Sequence, residues 1–239
     1  MFFLFSNFPY TYYFCKKLAA STFRMIVLTF FLYWIYIVLH VLNVLLYSLQ
    51  LLRRNSEWLR IITLFLWLML LIQIGAEVAR LIFKFNIPFF HIYTYSQSVI
   101  FGLFYLRICH NSMQKKIIKG YLWLMTLILV VFYTLKPDAF MTFNLPEVVI
   151  TNYLLVVASF FYLYNIISGS RTFIYITLGV LVCAALDISV FLFADFLITL
   201  QDKDTIIIWI LHESGVIFLH VMIMVQWFNF FYRRKNEDE

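Results

Sequence analysis

The sequence predicts an all-α, polytopic membrane protein with seven transmembrane helices. Of its 239 residues, 64% are hydrophobic and only 13% are charged, whereas soluble domains are about one quarter charged. The apolar residues fall into seven runs of about twenty residues, the length that a helix needs to cross a bilayer. These runs occupy almost the whole chain and leave no room for a soluble domain.

The seven predicted spans lie within residues 25–232, which form the predicted transmembrane domain. They are 25–52, 58–85, 88–108, 120–137, 146–167, 172–200 and 205–232. Polar, proline and glycine residues interrupt the apolar runs, as expected of connections. The breaks are Arg53-Arg54-Asn55-Ser56, Asn86-Ile87-Pro88, His110 to Lys119, Lys136-Pro137-Asp138, Ser168-Gly169-Ser170-Arg171 and Gln201-Asp202-Lys203-Asp204.

Basic residues in alternate connections predict the orientation, because cytoplasmic connections are enriched in Lys and Arg. The opposite connections contain only Lys84, Lys136 and Lys203. We therefore expect a cytoplasmic C terminus and an external N terminus. The net charge of +6 then reflects topology and indicates no nucleic-acid partner. The basic residues assigned to the inside are Arg53, Arg54, Arg60, Arg107, Lys115, Lys116, Lys119, Arg171, Arg233, Arg234 and Lys235.

The two ends of the chain lie outside the predicted transmembrane domain. Residues 1–24 form an aromatic and basic segment whose Lys16, Lys17 and Arg24 would face outward, against the rule. Either the true start is Met25, which removes the conflict, or the segment is an interfacial anchor. Residues 233–239 are expected to form a charged cytoplasmic tail without an output domain.

Ionisable residues inside the predicted spans mark the candidate site. One charged side chain at the centre of a spanning helix costs at least about 2.5 to 3.5 kcal/mol, so such residues usually have a partner or a function. Helical spacing places them on polar faces of the second, third, sixth and seventh spans. The candidates for lining a ligand cavity are Glu77, Arg80, His91, Asp187, Asp195, His212, Glu213 and His220.

Matched depth predicts which of these residues pair. Two residues eight positions apart on one helix are separated by about 12 Å, so neither the two aspartates nor the two histidines can share a metal ion. Counted from a turn near Lys203, Asp195 lies level with His212, and Asp187 lies level with His220. Such pairs could be an acid–base pair, a zinc ligand with its orienting carboxylate, or a proton relay.

Other polar residues are expected to lie beside or around these two predicted pairs. Glu77 and Arg80 are spaced to pair on one helix. Together with His91, they are expected to lie near the outer of the two predicted pairs, Asp195 with His212. His40 is interpreted as a packing residue and His110 as an interfacial one. The isolated cysteines are also interpreted as packing residues, and no cofactor is expected.

Three short segments resemble a family of small bacterial seven-helix membrane proteins. The resemblance extends over the whole chain, and the chain is similar to stand-alone versions of the sensory heads of bacterial histidine kinases. This similarity implies a sensory role and a place in a bacterial inner membrane. Gln97 stands where this resemblance leads us to expect a glutamate. The segments are Phe90-His91-Ile92-Tyr93-Thr94, Thr172-Phe173-Ile174-Tyr175-Ile176-Thr177-Leu178-Gly179 and Trp209-Ile210-Leu211-His212.

A second, weaker similarity is to seven-helix hydrolases that hold zinc with histidines and an aspartate. It implies Asp187, His212 and His220 as the zinc ligands. Those enzymes usually take two histidines from nearby turns of the last helix, whereas His212 and His220 are eight residues apart.

The sequence thus predicts a membrane protein whose outward-facing polar cavity senses a small ligand or protons. Signalling would require a separate membrane or cytoplasmic partner, in addition to the lipid bilayer around the helices. The alternatives are an intramembrane zinc-dependent hydrolase and a transporter or structural membrane subunit.

Overall fold

The computed structural model describes the backbone of residues 20–54, 56–167, 172–198 and 202–233. The side chains of residues 20–26, 193–198, 202–209 and 232–233 are outside this description. Within the described ranges the chain is helical and contains no strand. The all-α fold class is therefore confirmed.

Seven long α-helices follow one another through the described residues. A short 3-10 helix, Pro137–Met141, separates the fourth from the fifth, and a π-helical turn, Phe228–Arg233, follows the last. The long helices are α1 (Ala20–Arg53), α2 (Glu57–Phe83), α3 (Ile87–Ile108), α4 (Ser112–Leu135), α5 (Leu145–Ile166), α6 (Ile174–Ile198) and α7 (Asp202–Trp227).

Six of these helices, all except α3, contain a stretch long and apolar enough to cross a membrane. Large apolar side chains on their outer faces are exposed, among them Phe31, Leu71, Leu127 and Phe160. Lipid is the environment in which such an apolar exterior is stable. The chain therefore has the character of a multi-pass membrane protein.

The third helix differs because its polar face lies against protein. Its 22 residues are long enough to span a bilayer at about 1.5 Å per residue, but its hydropathy is below that of the other spans. His91, Thr94, Gln97 and Ser98 are all buried, since α3 packs against α2, α4 and α5. The number of seven spans remains a prediction.

Neighbouring helices pack in chain order, and α1 closes the bundle by packing against α7. The most extensive contact is between α6 and α7, which approach closely at Gly179. A Cβ atom there would lie 2.9 Å from Cβ of Met222 and 3.2 Å from Cα of Leu219. Gly179 therefore allows the close α6–α7 packing on which the candidate site depends.

Helix ends follow from local residue chemistry. Pro88 and Pro146 lie in the first turns of α3 and α5, where a missing N–H removes no helical hydrogen bond. At the start of α4, the Asn111 side chain accepts a hydrogen bond of 2.8 Å from the Met113 N–H. This cap starts α4 at Ser112, well before the apolar span predicted from residue 120, so the helix includes its basic first turns.

Candidate functional site

The first buried acid–histidine pair joins α3 to α5. His91 Nδ1 lies 2.5 Å from Glu147 Oε2, and both side chains are almost fully buried. The Thr94 hydroxyl donates to the other carboxylate oxygen over 3.2 Å, and the Tyr133 hydroxyl of α4 donates to Glu147 Oε2. Three helices therefore converge on one carboxyl group.

Hydrogen-bond partners define where the protons of this pair lie. His91 Nε2 is 3.0 Å from the Thr142 carbonyl oxygen, which can only accept, so Nε2 carries a proton. The short contact between Nδ1 and Glu147 also requires a proton on one of its two atoms. The pair is thus either imidazolium with carboxylate or imidazole with carboxylic acid, and the two forms interconvert without movement of heavy atoms.

Glu147 occupies a position at the start of α5 where an acidic side chain is favoured. It lies in the first turn of that helix, where the helix dipole favours a negative charge. Glu147 was not among the site residues predicted from the sequence. An acidic residue directly after Pro146, at the start of an apolar helix, was the signal that could have identified it.

The second pair joins α6 to α7. His212 Nδ1 lies 2.5 Å from Asp187 Oδ1, with both residues buried. The predicted pairing of Asp187 with His220 is therefore wrong. The other predicted pairing, of Asp195 with His212, involves a side chain that lies outside the described residues.

The error in pairing comes from the position of the turn between α6 and α7. Helix α6 ends at Ile198 and α7 begins at Asp202, so the centre of the turn is near residue 200 rather than Lys203. Asp187 and His212 are symmetric about position 199.5, whereas both predicted pairs are symmetric about 203.5. In an antiparallel pair, this difference of four residues changes each partner by eight. Eight residues also separate the two aspartates and the two histidines. The prediction therefore assigned Asp187 to the wrong histidine.

His220 lies in a separate polar cluster with α1. Its ring packs against that of His40 in a tilted arrangement, with centroids 4.5 Å apart, and its backbone carbonyl accepts a 2.8 Å hydrogen bond from Asn43. His40 contacts the Leu66 carbonyl at 2.9 Å and the Tyr36 hydroxyl at 3.1 Å. Both ring nitrogens of His40 thus have partners, as expected of a packing histidine.

The remaining predicted site residues do not form one cluster with His91. Glu77 and Arg80 form the expected ion pair, with Nε to Oε2 at 2.8 Å, and the Tyr33 hydroxyl approaches Glu77 at 3.5 Å. The hydrogen bonds of His91 go instead to Glu147, Tyr133 and the Thr142 carbonyl. The expected grouping of Glu77 and Arg80 with His91 is therefore not seen as direct hydrogen bonding.

Glu213 is a further buried acidic residue on α7. It follows His212 on α7 and is 1% exposed. Its Oε2 atom has no hydrogen-bond partner among the described residues. A buried carboxyl oxygen without a partner is energetically unfavourable, which distinguishes Glu213 from residues that only hold helices together.

Aromatic rings connect the two acid–histidine pairs. Phe90 contacts the Phe191 ring at 5.8 Å, and Phe191 contacts the His212 ring at 5.5 Å. Phe90 also lies beside His91, with ring centroids 6.0 Å apart. The pairs thus belong to one region of the bundle, separated by apolar rings rather than by a continuous hydrogen-bond chain.

A cavity of about 460 Å³ adjoins the first pair between α3 and α4. His91, Tyr133 and Glu147 form part of its lining, and apolar residues such as Ile92 and Val130 form much of the rest. Its volume is in the range of small-molecule sites. The His91–Glu147 pair is therefore close to a space that a small ligand could enter.

The zinc ligands implied by the weaker resemblance are not brought together. Asp187 and His212 are in contact, but His220 packs with His40 and Asn43. Over the described part of the chain, no group of three or more histidine, cysteine, aspartate or glutamate side chains is placed to hold a metal ion. Asp187, His212 and His220 are therefore not placed to share one metal ion.

No protein-family model, curated protein or solved structure matches the chain significantly.

Proposed function

We propose that this protein is an integral membrane sensor that responds to protons or to a small ligand in its polar interior. The observation that carries the proposal is the presence of two buried acid–histidine pairs, each joining two different helices. Asn or Gln would hold helices together without the cost of an ionisable group at membrane depth. This excess cost favours a role in sensing.

The proposed response follows from what a change in proton number does to each pair. Losing a proton from His91–Glu147 leaves a carboxylate beside a neutral ring, and gaining one leaves an imidazolium beside a neutral acid. Either change leaves a net charge in a buried contact, which weakens it. Because the two pairs connect α3 to α5 and α6 to α7, protonation would change the relative stability of two helix arrangements.

Neighbouring ionisable groups would tune the second pair. Cys183 on α6 and Tyr93 on α3 lie close enough to interact electrostatically with Asp187. Glu213 is adjacent to His212 in the chain, and Asp195 lies two turns further along α6. Around the first pair, the corresponding group is Tyr133.

The proposal includes the orientation and partner predicted from the sequence. The turn between α6 and α7 would face outward, and the basic ends of α1, α3 and α5 would face the cytoplasm of a bacterium. A separate signalling protein would receive the response. This role corresponds to that of the stand-alone sensory heads that the chain resembles.

The test measures helix movement as a function of pH. Spin labels at cysteines replacing the exposed Tyr153 on α5 and Ser214 on α7 report a distance in protein reconstituted into lipid nanodiscs. The native cysteines are replaced by serine in this background. We expect the distance distribution to change with pH, because a change in the proton number of either pair would leave a net charge in a buried contact.

Matched histidine variants identify the groups responsible. His91→Gln with His212→Gln should abolish the change, whereas His110→Gln should preserve it because His110 is exposed and outside both pairs. A distance that does not depend on pH, with or without ligand, would contradict sensing. A change that persists in the double variant would assign the pairs a structural role instead.

A further inference from the structure

A second cavity, of about 490 Å³, lies at the opposite end of the bundle from the acid–histidine pairs. Its lining comes from the start of α2, the end of α3, the beginning of α4, the end of α5 and the residues before α6. This end contains the basic connections assigned to the cytoplasm. From the sequence alone, these charges indicate only the topology.

Basic side chains dominate the charge of this cavity. Arg107, Lys115 and His110 contribute to its lining, against a single carboxylate, Glu57. Arg107 contacts Glu57 at 3.3 Å, but both side chains are more than half exposed. An ion pair in such a position is worth about 0 to 1 kcal/mol, so an anionic ligand could compete with Glu57 for Arg107.

Lys115 is the cation most available to a ligand. It is half-buried, whereas the next residue, Lys116, is exposed and does not line the cavity. Within the described chain, the Lys115 side chain makes no hydrogen bond or ion pair. The acidic group that interacts with it electrostatically is the Cys109 thiol, and burial raises the pKa of that thiol to about 11. Cys109 is therefore uncharged near neutral pH and does not balance the ammonium group.

Aromatic and amide groups complete the cavity. Trp58 and Phe173 line it and pack against each other, with ring centroids 5.2 Å apart. Asn165 also lines it and forms a reciprocal amide pair with Gln114, through hydrogen bonds of 2.8 and 3.2 Å. A cavity with ordered walls and a surplus of positive charge is suited to a defined anion more than to loosely held counterions.

We propose that this cavity binds a phosphate group, held by Lys115 and Arg107. The guanidinium group matches the geometry of phosphate oxygens, and a lysine ammonium group adds a point charge. The volume accommodates a phosphate with an attached organic group. Two sources share this chemistry: a soluble phosphorylated compound from the aqueous side, and the headgroup of an anionic phospholipid.

The test titrates full-length protein in nanodiscs of phosphatidylcholine with inorganic phosphate and with adenosine monophosphate. A parallel series adds phosphatidylglycerol to the nanodisc. Binding is followed by tryptophan fluorescence because Trp58 lines the cavity. Saturable binding of a soluble probe would identify a soluble ligand, and a response confined to phosphatidylglycerol would identify a lipid headgroup.

Two adjacent lysines provide the matched control. Lys115→Gln should weaken binding about tenfold or more, as expected for loss of one charged hydrogen bond. Lys116→Gln removes the same charge one residue away and should change binding less than about twofold. Glu57→Gln should tighten binding because it releases Arg107, an effect that a folding defect cannot imitate.

The opposite results overturn the proposal. Absence of saturable binding for all three probes would show that the cavity is not a phosphate site. Equal weakening by Lys115→Gln and Lys116→Gln would show general attraction to a basic surface instead. Weakened binding in Glu57→Gln would exclude competition between Glu57 and the ligand for Arg107.

Discussion

The Asp187–His212 contact allows a quantitative test of whether the interior contains ion pairs or ordinary interhelical hydrogen bonds. The two side chains are 7% and 11% exposed, and their nearest atoms are 2.5 Å apart. Removing one partner of a buried ion pair costs about 3 to 5 kcal/mol because the other charge is left uncompensated. Replacing both partners by apolar residues of similar volume is often neutral or stabilising.

The perturbation is a double-mutant cycle with Asp187→Leu, His212→Leu and the combined variant. We expect each single substitution to lower the free energy of unfolding by about 3 kcal/mol and the double variant to recover most of that loss. The measurement is equilibrium unfolding in mixed detergent micelles. Ser189→Ala on the same helix, where the exposed hydroxyl bonds only to the Ala185 carbonyl, should have little effect.

The size of the coupling energy decides between the two interpretations. Hydrogen bonds between membrane helices contribute about 0.6 kcal/mol on average, whereas a buried ion pair should give a coupling of about 2 kcal/mol or more. A value near 0.6 kcal/mol would refute the ion-pair interpretation of Asp187–His212. It would also remove the main support for a proton-sensing interior.

Three further predictions concern packing, a buried thiol and topology. Gly179→Ala should destabilise the bundle by about 1 to 3 kcal/mol through overpacking. Gly120→Ala, with no atom within 4 Å of the new Cβ, should be neutral or stabilising. Equal unfolding free energies of the two variants would contradict the close α6–α7 contact. Burial raises the pKa of Cys109 from 9.0 to about 11, so this thiol favours the folded state below pH 9 and that contribution is lost as pH rises through 11. The stability difference between wild type and Cys109→Ala should therefore shrink by about 2 to 3 kcal/mol over that interval, and a difference that does not vary with pH would exclude the shift. Finally, cysteines replacing the exposed Lys84 and Asn111 should react with membrane-impermeant reagents from opposite sides if α3 spans the bilayer; labelling from one side would refute the seven-span topology.

Local properties of the chain allowed the helices to be predicted, including one that hydropathy alone does not support. Helix α3 contains His91, Thr94, Gln97 and Ser98, which lower its hydropathy. Their helical spacing places them on one face, so a helix with one polar and one apolar side could be predicted from the sequence. The Glu77–Arg80 ion pair was also predicted, because spacing on one helix determines which side chains are neighbours.

Contacts between helices could be predicted only in part. Asp187 and His212 were both candidates from the sequence, but their pairing depended on where the α6–α7 turn is centred. The role of Glu147 was missed because its partner, His91, lies 56 residues earlier in the chain. No local pattern connects those two positions.

The sequence by itself determined the helical segments, their apolar exteriors and the faces that carry polar groups. These features follow from composition and from a repeat of about 3.6 residues per turn, which act within one segment. The tertiary structure decided that Glu147 binds His91, that Asp187 binds His212, and that His220 packs against His40. The physical reason is that periodicity defines the direction of a side chain, whereas its depth relative to another helix depends on turn position and packing distance. Close packing at Gly179 and a turn centred near residue 200 determine which side chains of α6 and α7 lie at the same depth.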